Sequence, residues 1–189
     1  MEAILVKDQK AAAFVMEDGT FEGVYRITEK VCGDVEQVTG VRPKITKWQG
    51  ELQPAQVYVA TLGNSEMSEA IAEEEGIELS SLRGKRECFL FQVLKNGSLL
   101  IAGSDKRGTI YGLFHISELM GVSPFVHFAD VVPAPQKEII FSEKDSMQSK
   151  EPSVKYRGFF INDEWPAFGN WTFSHYGGFT AEMYDLIFE

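Results

Sequence analysis

The sequence predicts an α/β protein of the α+β-like kind, a mixed β-sheet with packed helices over residues 1–150. Residues 151–189 read as a linker and the beginning of a second domain. Three observations carry this prediction. Apolar runs and runs of helical period follow one another as strand, helix, strand, helix, hairpin, helix, the pattern of a layered core. Lys95-Asn96-Gly97-Ser98 separates two apolar runs, and Asn-Gly there closes a hairpin because both residues tolerate positive φ. Residues 143–153 are polar and turn-rich, the best linker in the chain.

Taken in order, residues 11–16 (Ala-Ala-Ala-Phe-Val-Met) read as a strand closed by Asp18-Gly19. From Thr20 to Thr39 the period becomes helical, with Phe21, Val24, Tyr25, Val31, Cys32, Val35 and Val38 on one face. Asp18 or Thr20 is placed to cap its start, and Gly40 and Pro43 end it. Val57 to Leu62 predicts a strand, Ser65 opens an acidic helix that stops near Gly76, and residues 77–87 read as polar loop. The hairpin strands are Cys88 to Leu94 and Leu99 to Ala102. A helix carrying Ile110, Tyr111, Leu113, Phe114, Ser117 and Leu119 comes next, with Gly121 just beyond it. Glu138 to Phe141 adds an edge strand.

At 189 residues the chain fills one good core with an appendage, not two large domains. Its 28 acidic and 18 basic residues give a net charge of −10, which argues against a nucleic-acid partner. No segment approaches the roughly 20 apolar residues that span a membrane. The first residues, with Glu2, Lys7, Asp8 and Lys10, hold no signal-peptide core, which leaves a cytoplasmic protein or an export signal outside this sequence. Two cysteines make no disulfide framework, and Cys32 and Cys88 both read as small core residues. Fourteen phenylalanines suit a core, a ligand-lining surface or a face covered by further protein.

Gly103-Ser104-Asp105-Lys106-Arg107-Gly108 lies between a strand and a helix, where phosphate-binding loops lie. It lacks the Gly-Lys-Ser/Thr ending and the dinucleotide spacing, so a tight turn capped by Ser104 or Asp105 is the stronger reading. Gly108 and Gly112 then permit close helix–sheet contact. His115, His127 and His175 have no metal spacing. His115 reads as a surface or boundary residue, and His127, flanked by Phe125, Val126 and Phe128, as a hydrogen-bonded interior one. Neither a cofactor nor a metal is expected.

The last third carries the strongest signal. Val154 to Ile161 reads as an apolar strand that delivers Asn162, Asp163 and Glu164 to its carboxyl end, where α/β barrels place active-site groups. Trp165 adds a flat apolar face, and the set suits sugar hydroxyls and a sugar ring. The same residues equally suit an N-cap and turn cluster before a short helix. A loop to Gly178 and a helix from Thr180 complete the chain.

Several blocks together resemble the N-terminal part of glycoside hydrolase family 115, the xylan α-1,2-glucuronidases. They are residues 38–43 (Val-Thr-Gly-Val-Arg-Pro), 103–113 (Gly-Ser-Asp-Lys-Arg-Gly-Thr-Ile-Tyr-Gly-Leu), 121–124 (Gly-Val-Ser-Pro), Ala129-Asp130-Val131 and 156–164 (Tyr-Arg-Gly-Phe-Phe-Ile-Asn-Asp-Glu). The resemblance runs from about residue 11 to the end. It implies an accessory α/β domain over 1–150 preceding a (β/α)8 barrel, with Lys155 to Ile161 as the first barrel strand and Thr180 to Glu189 as the start of the first barrel helix. It also implies a hydrolase that removes (4-O-methyl-)glucuronic acid from xylan with inversion, which takes one carboxylic acid and one carboxylate. Family members place their main catalytic carboxylates on later barrel strands. Asn162, Asp163 and Glu164 therefore carry over as residues that bind glucuronate, with Asp163 and Glu164 as supporting carboxylates. The chain departs from the family at Phe125-Val126-His127-Phe128, where a Trp- and Tyr-rich run is usual. Trp171 and His175 lie in a loop that varies in the family and are not carried over.

The residues support two main hypotheses, beside a weaker third in which Gly103 to Gly108 bind a nucleotide. In one the chain is the N-terminal piece of such a hydrolase, inactive by itself, whose partner in the full enzyme is a glucuronate-bearing saccharide. In the other it is a standalone α/β module that binds carbohydrate or protein. In both, Val154 to Ile161 is expected to dock on the accessory domain or to pair with a second copy, because an open strand edge invites partners.

Overall fold

The structure, a computed structural model, describes residues 1–127 and 131–188. Two compact units form, Met1–Pro152 and Ser153–Glu189. The first contains strands β1 (Glu2–Lys7), β2 (Lys10–Ala11), β3 (Ala13–Met16), β4 (Ile45–Lys47), β5 (Gln56–Thr61), β6 (Phe89–Val93), β7 (Leu99–Gly103), β8 (Ile139–Ser142) and β9 (Met147–Gln148). Its helices are α1 (Glu22–Thr39), α2 (Glu66–Glu75) and α3 (Lys106–Leu119). A six-stranded sheet has the order β4-β3-β5-β7-β6-β9. Its first four strands run parallel, and β6 and β9 are antiparallel to their neighbours. A three-stranded antiparallel sheet, β2-β1-β8, completes the unit.

The side-chain period of two explains why the central strands are apolar without interruption. Val57, Val59, Leu99 and Ile101 enter one cluster with the apolar stripes of α1 and α3. Tyr58, Ala60, Leu100 and Ala102 enter the other with Met67 and Ile71 of α2. Both faces are covered, so neither half of the alternation needs to be polar. The small sheet joins the first cluster through Ala3, Leu5, Ile139 and Phe141.

Helix α1 buries Val24, Ile27, Thr28, Val31, Cys32, Val35 and Val38, a stripe at helical spacing. Phe21 and Tyr25, expected on that face, are 39% and 47% exposed, and Ile27 and Thr28 take the inner positions. Neither Asp18 nor Thr20 caps this helix. Phe21 occupies the cap position without a side-chain bond, and Asp18 is held instead by Lys47 at 2.6 Å. Gly40 closes α1 at φ 76°, as expected. In α2 the cap is Ser65, and Glu17 Oε1 accepts the Glu66 and Met67 amides at 3.1 and 3.0 Å.

One element is unanticipated and two expectations need correction. The first residues, read only for an export signal and given no element, form β1, whose Glu2, Ala3, Ile4 and Leu5 alternate between exposed and buried. Residues 143–153 are no free linker. A short 3-10 turn at Glu143–Asp145 is closed by Ser142 and Asp145, and β9 then pairs with β6. Ser149 Oγ accepts the Phe89 amide at 2.8 Å. The polar side chains there serve a sheet edge, which composition alone does not distinguish from a linker. His127 is exposed, not interior, while His115 lies at a boundary with its ring 5.2 Å from that of Phe91. Phe128, Ala129 and Asp130 lie outside the described residues.

Both cysteines are buried. Burial, reinforced by Glu29, pushes the Cys32 thiol up to about 12, so it behaves as a small apolar group. At the α1–α3 contact Ser117 Oγ donates to Asp34 Oδ2 at 2.6 Å. Burial raises the Asp34 carboxyl above its ordinary value, against the opposing pull of Ser117, His127 and Lys30. A carboxyl whose folded pKa lies above its unfolded one favours the fold at low pH and loses that contribution as pH rises through the folded pKa. Asp34→Asn keeps an acceptor for Ser117 and removes the charge. Its stability relative to wild type is expected to improve as pH rises above the ordinary aspartate range in urea unfolding. A pH-independent difference would contradict this assignment.

Candidate functional site

Two places call for inspection, the Gly103–Gly108 turn and the Asn162–Glu164 block. The turn is filled by its own chain. Asp105 caps α3 by accepting the Gly108 amide at 2.8 Å with Oδ1, and its Oδ2 accepts the Glu87 amide at 2.9 Å. Ser104 bonds Cys88 twice, its amide to the carbonyl at 2.8 Å and its Oγ from the amide at 2.9 Å. The nearly buried Glu87 carboxylate pairs with Arg107 at 3.1 Å. A Cβ on Gly103 would lie 2.1 Å from the Thr109 nitrogen, and one on Gly108 would lie 2.1 Å from the Cys88 oxygen. These glycines are demanded by helix–sheet approach. The Asp105 carboxylate holds the position at the helix start that a phosphate would take.

The second unit holds the other candidate. Residues 154–164 form no strand. Backbone groups need a ladder partner to make a strand, and among the described residues none pairs with this run. Tyr156, Phe159 and Phe160 are 86%, 72% and 89% exposed, so the run expected as an apolar strand carries its aromatics in solvent. Asn162, Asp163 and Glu164 are all exposed. The Asn162 side-chain oxygen accepts the Glu164 amide at 3.3 Å, a local Asx turn. Among the described residues no hydrogen bond or ion pair engages either carboxylate, so both face outward for use.

The chain beyond Trp165 is more ordered than the predicted loop. Helix α4 (Phe168–Tyr176) starts three residues after Trp165, and α5 (Ala181–Phe188) lies where the last helix was expected. Phe168, Trp171, Thr172, His175 and Tyr176 carry the i, i+3, i+4, i+7, i+8 spacing that would have revealed α4. Trp165 leans on Phe173 with ring centres 5.6 Å apart. A Cβ on Gly169 would lie 3.1 Å from the Asp163 carbonyl and 3.2 Å from Trp165 Nε1, so this glycine seats α4 directly against the candidate block. Gly177, at φ 71°, ends α4, and Thr180 Oγ1 accepts the Met183 amide at 3.2 Å to start α5. Trp171 and His175 stack on each other, 5.2 Å apart, within the helix. Among the described residues no cluster of His, Cys, Asp or Glu suits a metal.

A model of Glycosyl hydrolase family 115 matches residues 149–189, a stretch that includes the Asn162–Glu164 block. The solved structure of BtGH115A, a family GH115 4-O-methyl-α-glucuronidase with specificity for decorated arabinogalactans, matches 95% of this chain at 29% identity with a TM-score of 0.73. Both matches point the same way, and the chain is similar to glycoside hydrolase family 115. Its mixed α/β unit is the fold found in the N-terminal region of that relative. The chain spans 22% of the relative's length. A weaker match is CpGH84D, at 12% identity and TM-score 0.47 over 63% of this chain and 18% of that one. Another is a GH138 enzyme targeting pectin rhamnogalacturonan II, at 17% identity and TM-score 0.38 over 59% of this chain and 14% of that one. Both are too distant to say more about this chain. No curated protein matches it.

Proposed function

We propose that this chain is the N-terminal part of a hydrolase that releases (4-O-methyl-)glucuronic acid side chains from a plant polysaccharide, xylan first among the candidates, by inversion. The observation that carries the reading is the exposed Asn162-Asp163-Glu164 block inside the family match, seated against α4 and followed by the 61% exposed Trp165. Asn162 offers a donor and an acceptor, and two carboxylates accept sugar hydroxyls. Trp165 offers a face to a pyranose ring. Asp163 and Glu164 would repel the glucuronate carboxylate, so they serve its hydroxyls, and a cation elsewhere in the full enzyme meets the acid group.

Inverting hydrolysis needs two carboxyl groups about 6.5–9.5 Å apart across the glycosidic bond with a water between them. Adjacent carboxylates on one turn cannot embrace a bond in that way, so the chain by itself binds at one corner and does not cleave. The purified 189-residue chain is therefore expected to release glucuronic acid from glucuronoxylan no faster than its Asp163→Ala/Glu164→Ala variant. A rate well above that of the variant would sink this division of labour.

A second reading is favoured by one observation. The unit Met1–Pro152 has two cores, one on each face of its main sheet, and is complete enough to act as a binding module.

A further inference from the structure

A groove of about 430 Å³ opens at the carboxyl edge of the main sheet, between the loop after β3, the end of β4 and the first turns of α1. Its volume lies within the range of roughly 300–1,000 Å³ typical of small-ligand sites. In parallel sheets ligands bind outside the carboxyl ends of the strands, and the groove lies on that side, beside the β3/β5 point where the strand order reverses. Met16 and Ile45 give the groove an apolar floor, and Thr20 and Thr46 line it with hydroxyls. Tyr25 forms a wall from α1 and is 47% exposed, although its neighbours in the apolar stripe, Val24 and Thr28, are buried. Nearly half of this residue's surface stays open after folding.

The charges, by contrast, are already engaged by the protein. Asp18 pairs with Lys47, Glu22 pairs with Arg26, and Glu17 accepts two amides of α2. The lining holds three carboxylates against one ammonium, a balance that disfavours an anionic sugar. What remains is a flat aromatic face, an apolar floor and hydroxyls, the chemistry that recognises an uncharged pyranose.

We propose that this groove binds the neutral main chain of a polysaccharide, with a pyranose ring laid on Tyr25. The inference adds a site to the reading above and rests on it only for the class of polymer. The test is amide NMR of the 189-residue chain titrated with xylotetraose, a β-linked galactotetraose and glucuronic acid. At least one neutral tetrasaccharide is expected to shift the amides of residues 17–22, Tyr25 and 45–47, with a Kd on the order of 1 mM. Tyr25→Ala is expected to weaken binding roughly fivefold, and Tyr25→Phe to retain it. Thr46→Arg, at an exposed position of β4, is expected to block the groove and match the alanine variant. No shift with either tetrasaccharide, equal shifts with glucuronic acid, or full binding by both Tyr25→Ala and Thr46→Arg would each overturn the proposal. Those results would leave the Asn162–Glu164 reading intact, since it is tested by release of glucuronic acid.

Discussion

Gly108→Ala is expected to destabilise the first unit by about 3 kcal/mol or more, and to leave little folded protein if the unit is marginal. The added methyl would sit 2.1 Å from the Cys88 oxygen and 2.9 Å from its carbon. Both are backbone atoms and cannot rotate aside as a side chain would. The carbonyl is also tied, since it accepts the Ser104 amide at 2.8 Å, so moving it away breaks the turn that starts α3. Gly23→Ala is the control. Its methyl would meet only the tips of Ile110 and Lys106, at 3.9 and 4.0 Å, and in a helix it should be neutral or stabilising by up to about 1 kcal/mol. Urea unfolding of the two variants separates a steric demand at one glycine from a general cost of alanine. Equal stability of Gly108→Ala and wild type would refute the close approach.

Phe91→Ala is expected to cost about 3–5 kcal/mol. Phe91 is fully buried in the middle of β6. Its ring meets those of His115 on α3 and Phe141 on β8, both edge-on with centres 5.2 Å away. One side chain thus links the main sheet, a helix and the small sheet, and no neighbour can fill the space it leaves without giving up one of these contacts. Phe91→Leu, which keeps most of the volume, should cost about 1.5 kcal/mol or less. A loss below about 1 kcal/mol for the alanine variant would mean that the three layers do not meet at this ring.

The hairpin, α1, α2 and α3 were legible because local chemistry and tertiary demand agree there. Gly97, Ser65, Asp105, Gly40 and Gly76 do in the structure what their types favour in isolation, whereas Asn96 stays out of the positive-φ region expected of it and its side-chain oxygen accepts the Ser98 amide instead. Elements at sheet edges were harder to read. In β9 the partner is β6, more than fifty residues away, and nothing local in a polar run reports a distant ladder. The segment from Val154 to Ile161 differs in the opposite sense, since it forms no strand within this chain. Its apolar residues have strand character, but a strand exists only where another chain segment offers hydrogen bonds, and its aromatics stay exposed without one. At the candidate site the residue types were legible, whereas the helix that supports them was hidden by reading Trp165 to Gly178 as punctuation. Gly169, the residue that lets α4 close on Asp163 and Trp165, has no signature beyond its missing side chain.

The most direct measurement is glucuronic acid release from glucuronoxylan and from glucuronate-decorated arabinogalactan. It should be made with this chain extended through whatever its gene encodes after Glu189, alongside the same polypeptide carrying Asp163→Ala/Glu164→Ala. The extended wild type is expected to release glucuronic acid from at least one polymer. The double variant should lose about 100-fold or more in kcat/KM, the consequence of removing charged partners of the bound sugar. An extended wild type that releases none from either polymer, or a double variant as active as wild type, would contradict the assignment of these residues to a glucuronate pocket.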